Sequence, residues 1–297
     1  MEKMLSTKFS FSEKTVLIKT NSKKMHKILE VFLPEFGSGK KEDLILEYFF
    51  FEENSDMDFR IMKEQFVLLK KLKMKSKDKI VFESEKGKKG KMIISGFLDL
   101  KKKHGKIKLR MKSDSFWRFF VFNLAQCLAF YLSSHNGAVI HSSALAENGK
   151  GFLFPAGDEQ GKTTFLFLCP KTVNLAEDLN FLFRKEKKFF IQAFPFMMML
   201  ANITKKKAKK FELKTVLFLA KSKKLKLKKL TKREAVIKLL ENDVNAMFGF
   251  QEIKFKERIS FYSELFSHVP AFVLYFPLRE NLWKEVKKKL NKTLDLK

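Results

Sequence analysis

The chain is poor in several residues that usually announce a class of protein. It has only two cysteines in 297 residues, Cys127 and Cys169. There is no C-x-x-C and no cysteine–histidine spacing suited to zinc, so a disulfide framework and a zinc module are excluded and two buried free thiols are expected. Proline (6) and glycine (12) are scarce, which excludes collagen-like, proline-rich and flexible-linker architectures. No internal repeat is present. The first twenty residues hold no apolar run of signal-peptide length, because Lys and Glu recur every few positions, and a cytoplasmic location is expected. Arginine is rare too. Only 7 of the 61 basic residues are Arg, so the formal charge of +28 is a lysine charge. Base-edge reading and phosphate forks favour Arg, and the lysines are spread through the chain. Several alternate with apolar residues, as in Lys106-Ile107-Lys108-Leu109 and Lys224-Leu225-Lys226-Leu227. That is the pattern of a solvated strand face, and no specific nucleic-acid partner is expected.

What is abundant is phenylalanine (35) in short apolar runs broken by polar turns. Val16-Leu17-Ile18, Leu44 to Phe51, Phe66 to Leu69, Ile80-Val81-Phe82, Met92-Ile93-Ile94 and Ile107 to Met111 read as strands, with one helix near Lys24 to Phe32. From Asp114 to Ser134 the pattern changes to a long apolar helix, with Asp114 or Ser115 as its N-cap. Arg118, Asn123 and Gln126 interrupt it, which favours a helix buried on the sheet beside the loop described next over a membrane span. Two domains are expected: a β-rich part over 1–112 and a nucleotide-binding part over 113–297. The fold class is α/β, an α+β arrangement with a mixed sheet.

The chemistry is concentrated between Ala138 and Asp178. Ala156-Gly157-Asp158-Glu159-Gln160-Gly161-Lys162-Thr163 is a phosphate-binding loop with Ala156 in place of its first glycine. Gly161 lets the backbone approach phosphates, Lys162 meets the terminal phosphates, and the Thr163 hydroxyl suits Mg²⁺. The loop follows an apolar strand, Phe152-Leu153-Phe154, and precedes an apolar helical run from Thr164. Gly157, Asp158, Glu159, Gln160, Gly161, Lys162, Thr163 and Thr164 are therefore the expected nucleotide contacts, and the ligands are ATP and Mg²⁺. Upstream, Ala138 to Ala146 alternates like a strand and Glu147-Asn148-Gly149-Lys150-Gly151 has turn chemistry, so the loop leaves a β-hairpin. Glu177-Asp178 follows Val173-Asn174-Leu175-Ala176; on its own it reads as a polar strand end, and after a phosphate loop it reads as a magnesium site. His141 alone reads as a core histidine. A Ser-His-Asp hydrolase from Ser142, His141 and Asp178 is disfavoured, because neighbouring strand residues point to opposite faces.

The order of His141-Ser142-Ser143-Ala144, a turn, an apolar strand, Gly161-Lys162-Thr163-Thr164 and then Glu177-Asp178 resembles HPr kinase/phosphorylase and its relative phosphoenolpyruvate carboxykinase. It is closest to the small HPr-kinase-like proteins and covers about the C-terminal three-fifths of the chain. The resemblance implies a phosphoenolpyruvate-carboxykinase-like core, with Lys162, Glu177 and His141 as catalytic residues and Thr163 and Asp178 as metal ligands. Glu177 stands where many of these proteins have Asp. The implied activity is phosphoryl transfer from ATP to a Ser or Thr of a protein or peptide acceptor. The alternative is a non-catalytic nucleotide-binding regulatory or assembly protein, and homo-oligomerisation is left open.

Beyond the paired acid, Leu179 to Phe183 and Phe189 to Phe194 read as a hairpin and Phe211 to Lys221 as a central strand. Thr231-Lys232-Arg233-Glu234 has capping-box spacing, with a helix continuing from Ala235 to Phe248. Glu257 to Ser267 reads as a helix, Val269 to Phe276 as a strand and Asn281 to Leu294 as a closing helix.

Overall fold

A computed structural model describes residues 4–11, 13–33, 41–52, 73–83, 94–111, 116–157, 159–169, 172–196, 209–247, 252, 254–280 and 282–293. The expected strand at Phe66 to Leu69, the N-cap at Asp114 or Ser115 and loop residue Asp158 lie outside them. The chain divides into two compact units, one of residues 1–131 with 247–254 and one of 132–246 with 255–297.

The first unit is built on a seven-stranded mixed sheet. Its strands are β1 (Leu5–Phe11), β2 (Lys14–Thr20), β3 (Leu44–Glu52), β4 (Lys73–Ser76), β5 (Lys79–Glu83), β6 (Ile94–Asp99) and β7 (His104–Met111), in the order β1-β2-β3-β7-β6-β5-β4. β2–β3 and β3–β7 are parallel and the other pairs antiparallel. Along β7, Lys106 and Lys108 are exposed while Ile107 and Leu109 are buried, as a half-solvated strand requires. Helix α1 (Lys23–Phe32) is capped by Ser22, whose hydroxyl accepts from the Met25 N–H. The apolar helix α2 (Phe116–Ser133) packs Phe120 edge-on against Tyr48 of β3, with ring centroids 4.8 Å apart. The Tyr48 hydroxyl donates to Asn123 Oδ1 at 3.0 Å, which gives the carbonyl end of that interrupting amide a partner inside the core. These contacts are with the first sheet, where the sequence suggested the sheet beside the loop. Among the described residues no helix is long and apolar enough to cross a membrane.

The second unit holds an eight-stranded mixed sheet: β8 (Gly137–Glu147), β9 (Lys150–Pro155), β10 (Val173–Ala176), β11 (Leu179–Lys185), β12 (Lys188–Ala193), β13 (Phe211–Lys221), β14 (Lys226–Lys229) and β15 (Ala271–Phe276). β8 and β9 form the expected hairpin, and Asn148 (φ 50°) and Gly149 (φ 75°) supply the two positive φ angles of its tight turn. β13 lies parallel to both β9 and β15, so three carboxyl ends point the same way. In open α/β sheets that end is where ligands collect.

One face of this sheet is covered by α4 (Lys232–Glu241) and α6 (Phe255–His268), through a cluster that includes Phe218, Leu230, Leu239, Tyr262 and Val273. The other face carries α3 (Lys162–Phe167) and α7 (Leu282–Thr293), through Phe165, Leu217, Phe276 and Trp283. Thr231 and Glu234 close the capping box at the start of α4. The helix expected to run on to Phe248, which lies outside the described residues, is broken at Asn242-Asp243, and a second helix, α5 (Val244–Met247), follows. The break has a tertiary cause. Asp243 is fully buried and accepts from Arg258 Nη1 (2.9 Å) and the Tyr262 hydroxyl (2.6 Å), both on α6, while it bridges to Ile140 of β8.

Candidate functional site

The loop leaves β9 at Pro155, whose strand partner on β8 is Ser142. On the opposite flank of β8 the Ser142 N–H donates to Asp178 O at 2.9 Å. A single residue of β8 thus stands between the start of the loop and the paired acid. Past Pro155 the β9 pairing stops, and the vacated edge of β8 is taken by the end of α4. There the His141 N–H donates to Asn242 O at 2.8 Å.

Within the loop, Ala156 is buried and belongs to the cluster of Phe154, Phe165 and Phe276. Its methyl group fills core volume that a glycine would leave empty. The Lys162 ammonium, on a residue 8% exposed, donates to Ala156 O (2.9 Å) and Gly157 O (3.0 Å), so the loop folds around its charge. Gln160 closes the loop from the other side, its Oε1 accepting from the Gly157 N–H at 2.9 Å. Gly161 has φ 95°, a left-handed conformation that favours glycine. A Cβ there would come within 3.2 Å of Lys221 Cε and of Phe276 Cζ. The Phe165 N–H donates to Gly161 O, the first bond of α3. Glu159 faces solvent, which keeps its carboxylate from crowding an anion. Thr163 is half-buried and Thr164 exposed at the start of α3.

His141 and Asp178 meet directly. His141 Nε2 lies 2.8 Å from Asp178 Oδ1, with the histidine side chain 7% and the aspartate 30% exposed. Ser142 turns away from this pair, because its hydroxyl donates to Ile140 O and accepts from Asn180 Nδ2. The expectation that these three residues do not form a nucleophilic triad therefore agrees with the hydrogen bonding. Glu177 is buried at 6% exposure. Among the described residues no three His, Cys, Asp or Glu side chains converge on a metal position. The donor set for Mg²⁺ would be the Thr163 hydroxyl and one Asp178 carboxylate, which fits an ion that keeps phosphate oxygens and water as its other ligands.

Sequence reasoning missed three residues here. Asn180 of β11 donates to Ser142 O at 2.7 Å and stands two residues beyond Asp178, which directly precedes that strand. Asn242 holds the His141 backbone, and nothing local in the sequence marks it. Lys221, at the end of β13, lays its aliphatic stem against Gly161. Beside the loop opens a cavity of about 660 Å³. Ala156, Gly157 and Gln160 form one wall, Phe218 and Val273 line it from the sheet, and Lys238 lines it from α4.

The model of the family described as SynChlorMet cassette protein ScmC matches residues 109–291. The chain belongs to the ScmC family. The match covers more than half of the chain and runs from β7 into α7, so the ScmC region contains His141, the loop, Glu177-Asp178 and the cavity. No curated protein matches the chain.

Proposed function

We propose that the chain is a Mg-ATP-dependent phosphotransferase whose acceptor is the hydroxyl of a Ser or Thr in a protein or peptide, built on an HPr-kinase-like phosphate loop. The observation that carries this reading is the strand register at Ser142, with Pro155 on one flank and Asp178 on the other. Two strand spacings, about 10 Å, separate loop and acid, a gap that a polyphosphate with its cation can span. Lys162 and the loop amides would hold the β- and γ-phosphates. Mg²⁺, held by Thr163 and Asp178, would offset charge on the phosphates. His141 lies 2.8 Å from one Asp178 oxygen and would orient that carboxylate, whose other oxygen would be the one to hold Mg²⁺.

In the transfer itself, the acceptor oxygen forms a bond to the γ-phosphorus and the bridging β–γ P–O bond breaks. ADP leaves, and Glu177 takes the hydroxyl proton. The family's description as a cassette protein makes the other products of that cassette the first acceptors to test.

A second reading, a nucleotide-binding regulatory or assembly protein without transfer, is favoured by the burial of Glu177. The deciding experiment incubates the chain with γ-labelled ATP, Mg²⁺ and each cassette product. Label on Ser or Thr that is lost in Glu177→Gln supports the phosphotransferase. Nucleotide binding without label on any product supports the second reading.

A further inference from the structure

The cavity beside the loop lies apart from the path of the phosphates. Its floor residues Phe218, Leu230 and Val273 belong to the cluster under α4 and α6, on the sheet face opposite to the one that carries α3. The loop reaches the cavity through Ala156, Gly157 and Gln160, and Lys162, Thr163 and Thr164 are not among its lining residues. An anion held at the helix end of the loop and a ligand in the cavity therefore approach the loop from different sides. The far wall includes Asn242, whose carbonyl holds the His141 N–H, and His141 contacts Asp178. The cavity thus opens one residue away from the acid pair.

Its lining describes a ligand. Lys238, Glu241 and Tyr275 commit their side chains to no hydrogen bond or ion pair among the described residues. The Lys238 ammonium, within electrostatic reach of Glu234 but in no ion pair with it, can meet an acidic group of a ligand. Gln160 Oε1 is held by the Gly157 N–H and Asn242 Nδ2 by Lys238 O, which leaves the Gln160 amino group and Asn242 Oδ1 to pair with a peptide C=O and N–H. The floor is apolar and takes one side chain. A nucleoside polyphosphate carries only negative charge and would meet Glu234 and Glu241 beside Lys228 and Lys238, a lining with no excess positive charge to hold it. The volume falls within the range of ligand sites, roughly 300–1,000 Å³.

We propose that this cavity binds a short peptide segment of the acceptor, with an acidic side chain against Lys238 and an apolar one on Phe218 and Val273, and so presents the adjoining hydroxyl to the loop. The proposal rests on the phosphotransferase reading for what the bound segment is used for, and the binding itself can be tested separately.

The test uses fluorescence anisotropy with a positional-scanning library of labelled, Ser-centred heptapeptides, and calorimetric titration of Mg-ATP in parallel. The proteins are the parent, Lys238→Glu and Glu241→Trp, both changes lying on the outer part of α4, with fold checked by circular dichroism. The parent selects pools with an acidic residue at one position. Lys238→Glu shifts that preference to a basic residue at the same position, an exchange that damage to the fold would not produce. Glu241→Trp fills the mouth and lowers binding of the selected pool at least about tenfold, with Mg-ATP affinity within about twofold of the parent in both variants.

Absence of any selected pool in the parent overturns the proposal, as does an unchanged preference in Lys238→Glu. A fall of about tenfold in Mg-ATP affinity in Glu241→Trp also overturns it, because the cavity then takes the nucleoside. If the parent binds no Mg-ATP while the peptide preference behaves as described, the phosphotransferase reading fails and the peptide site stands.

Discussion

Removing Arg258 should loosen the candidate site from behind. Arg258 is 2% and Asp243 0% exposed, and the guanidinium lies 2.9 Å from Asp243 Oδ2. The same carboxylate accepts from the Tyr262 hydroxyl and, through Oδ1, from the Asn245 N–H and side-chain amide. Arg258→Met keeps most of the side-chain volume and takes away the only cation in that set, so a buried carboxylate is left with neutral donors. Breaking a buried pair by deleting one partner costs about 3–5 kcal/mol. Against a total of about 5–15 kcal/mol for a folded domain, that is a large fraction.

Urea denaturation of the parent, Arg258→Met, Asp243→Asn and the double variant measures the loss. Each single change should lower stability by the amount above, and the double by about 1–3 kcal/mol less than the sum, since both remove one interaction. The local effect is a separate readout. Because Asp243 bridges Ile140 and Asn242 O holds the His141 N–H, amide exchange at His141 should accelerate in Arg258→Met before global unfolding. Single-variant losses under about 1 kcal/mol would refute the reasoning, since an exposed or rim pair is worth no more than that. Unchanged exchange at His141 would refute the link from this network to the site.

Burial pushes the thiols of Cys127 and Cys169 up to about 12, the Glu147 charge adding to the effect at Cys169. Both are raised above their ordinary value, so the stability gained by keeping them neutral is complete below about pH 9 and is lost as pH rises toward 12. The urea midpoint should fall over that window, less so in Cys127→Ala, and a thiol reagent at pH 7 should label the native protein only at the rate of unfolding. Thr231→Ala opens the capping box of α4 and should cost about 1 kcal/mol in urea unfolding; no change would mean the box is not formed in solution. Asp178→Asn should weaken Mg²⁺-dependent ATP binding, while Glu177→Gln leaves binding intact and lowers transfer about a hundredfold or more. Equal Mg-ATP affinity in both variants and the parent would leave the paired acid as a polar strand end.

Much of the second unit was legible because its signals are local. Asn148-Gly149 can only turn tightly, Thr231 and Glu234 are three residues apart, and Gly161 precedes a lysine at the mouth of a helix. What was illegible depends on residues far apart in the chain. Leu239, Leu240 and Val244 continue a helical spacing, so a helix to Phe248 was the natural reading. The break is imposed by Arg258, Tyr262 and Ile140, none of them local. The same holds for α2, whose apolar run says that it is buried and not against which sheet. At the site, Glu177-Asp178 and His141 were each visible, and their unequal burial and the contact of His141 with Asp178 were not, since that pairing follows from the β8–β11 register. The cavity had no signature, because its lining comes from a loop, four strands and a helix.

The central claim is that the loop around Lys162 holds the phosphates of ATP, and calorimetric titration of Mg-ATP into the parent and Lys162→Ala tests it most directly. The parent should bind, and the variant should lose at least about tenfold in affinity with its circular dichroism unchanged, because the charge that meets the terminal phosphates is gone. Equal affinity in the two proteins, or no binding by the parent at millimolar Mg-ATP, would contradict the account.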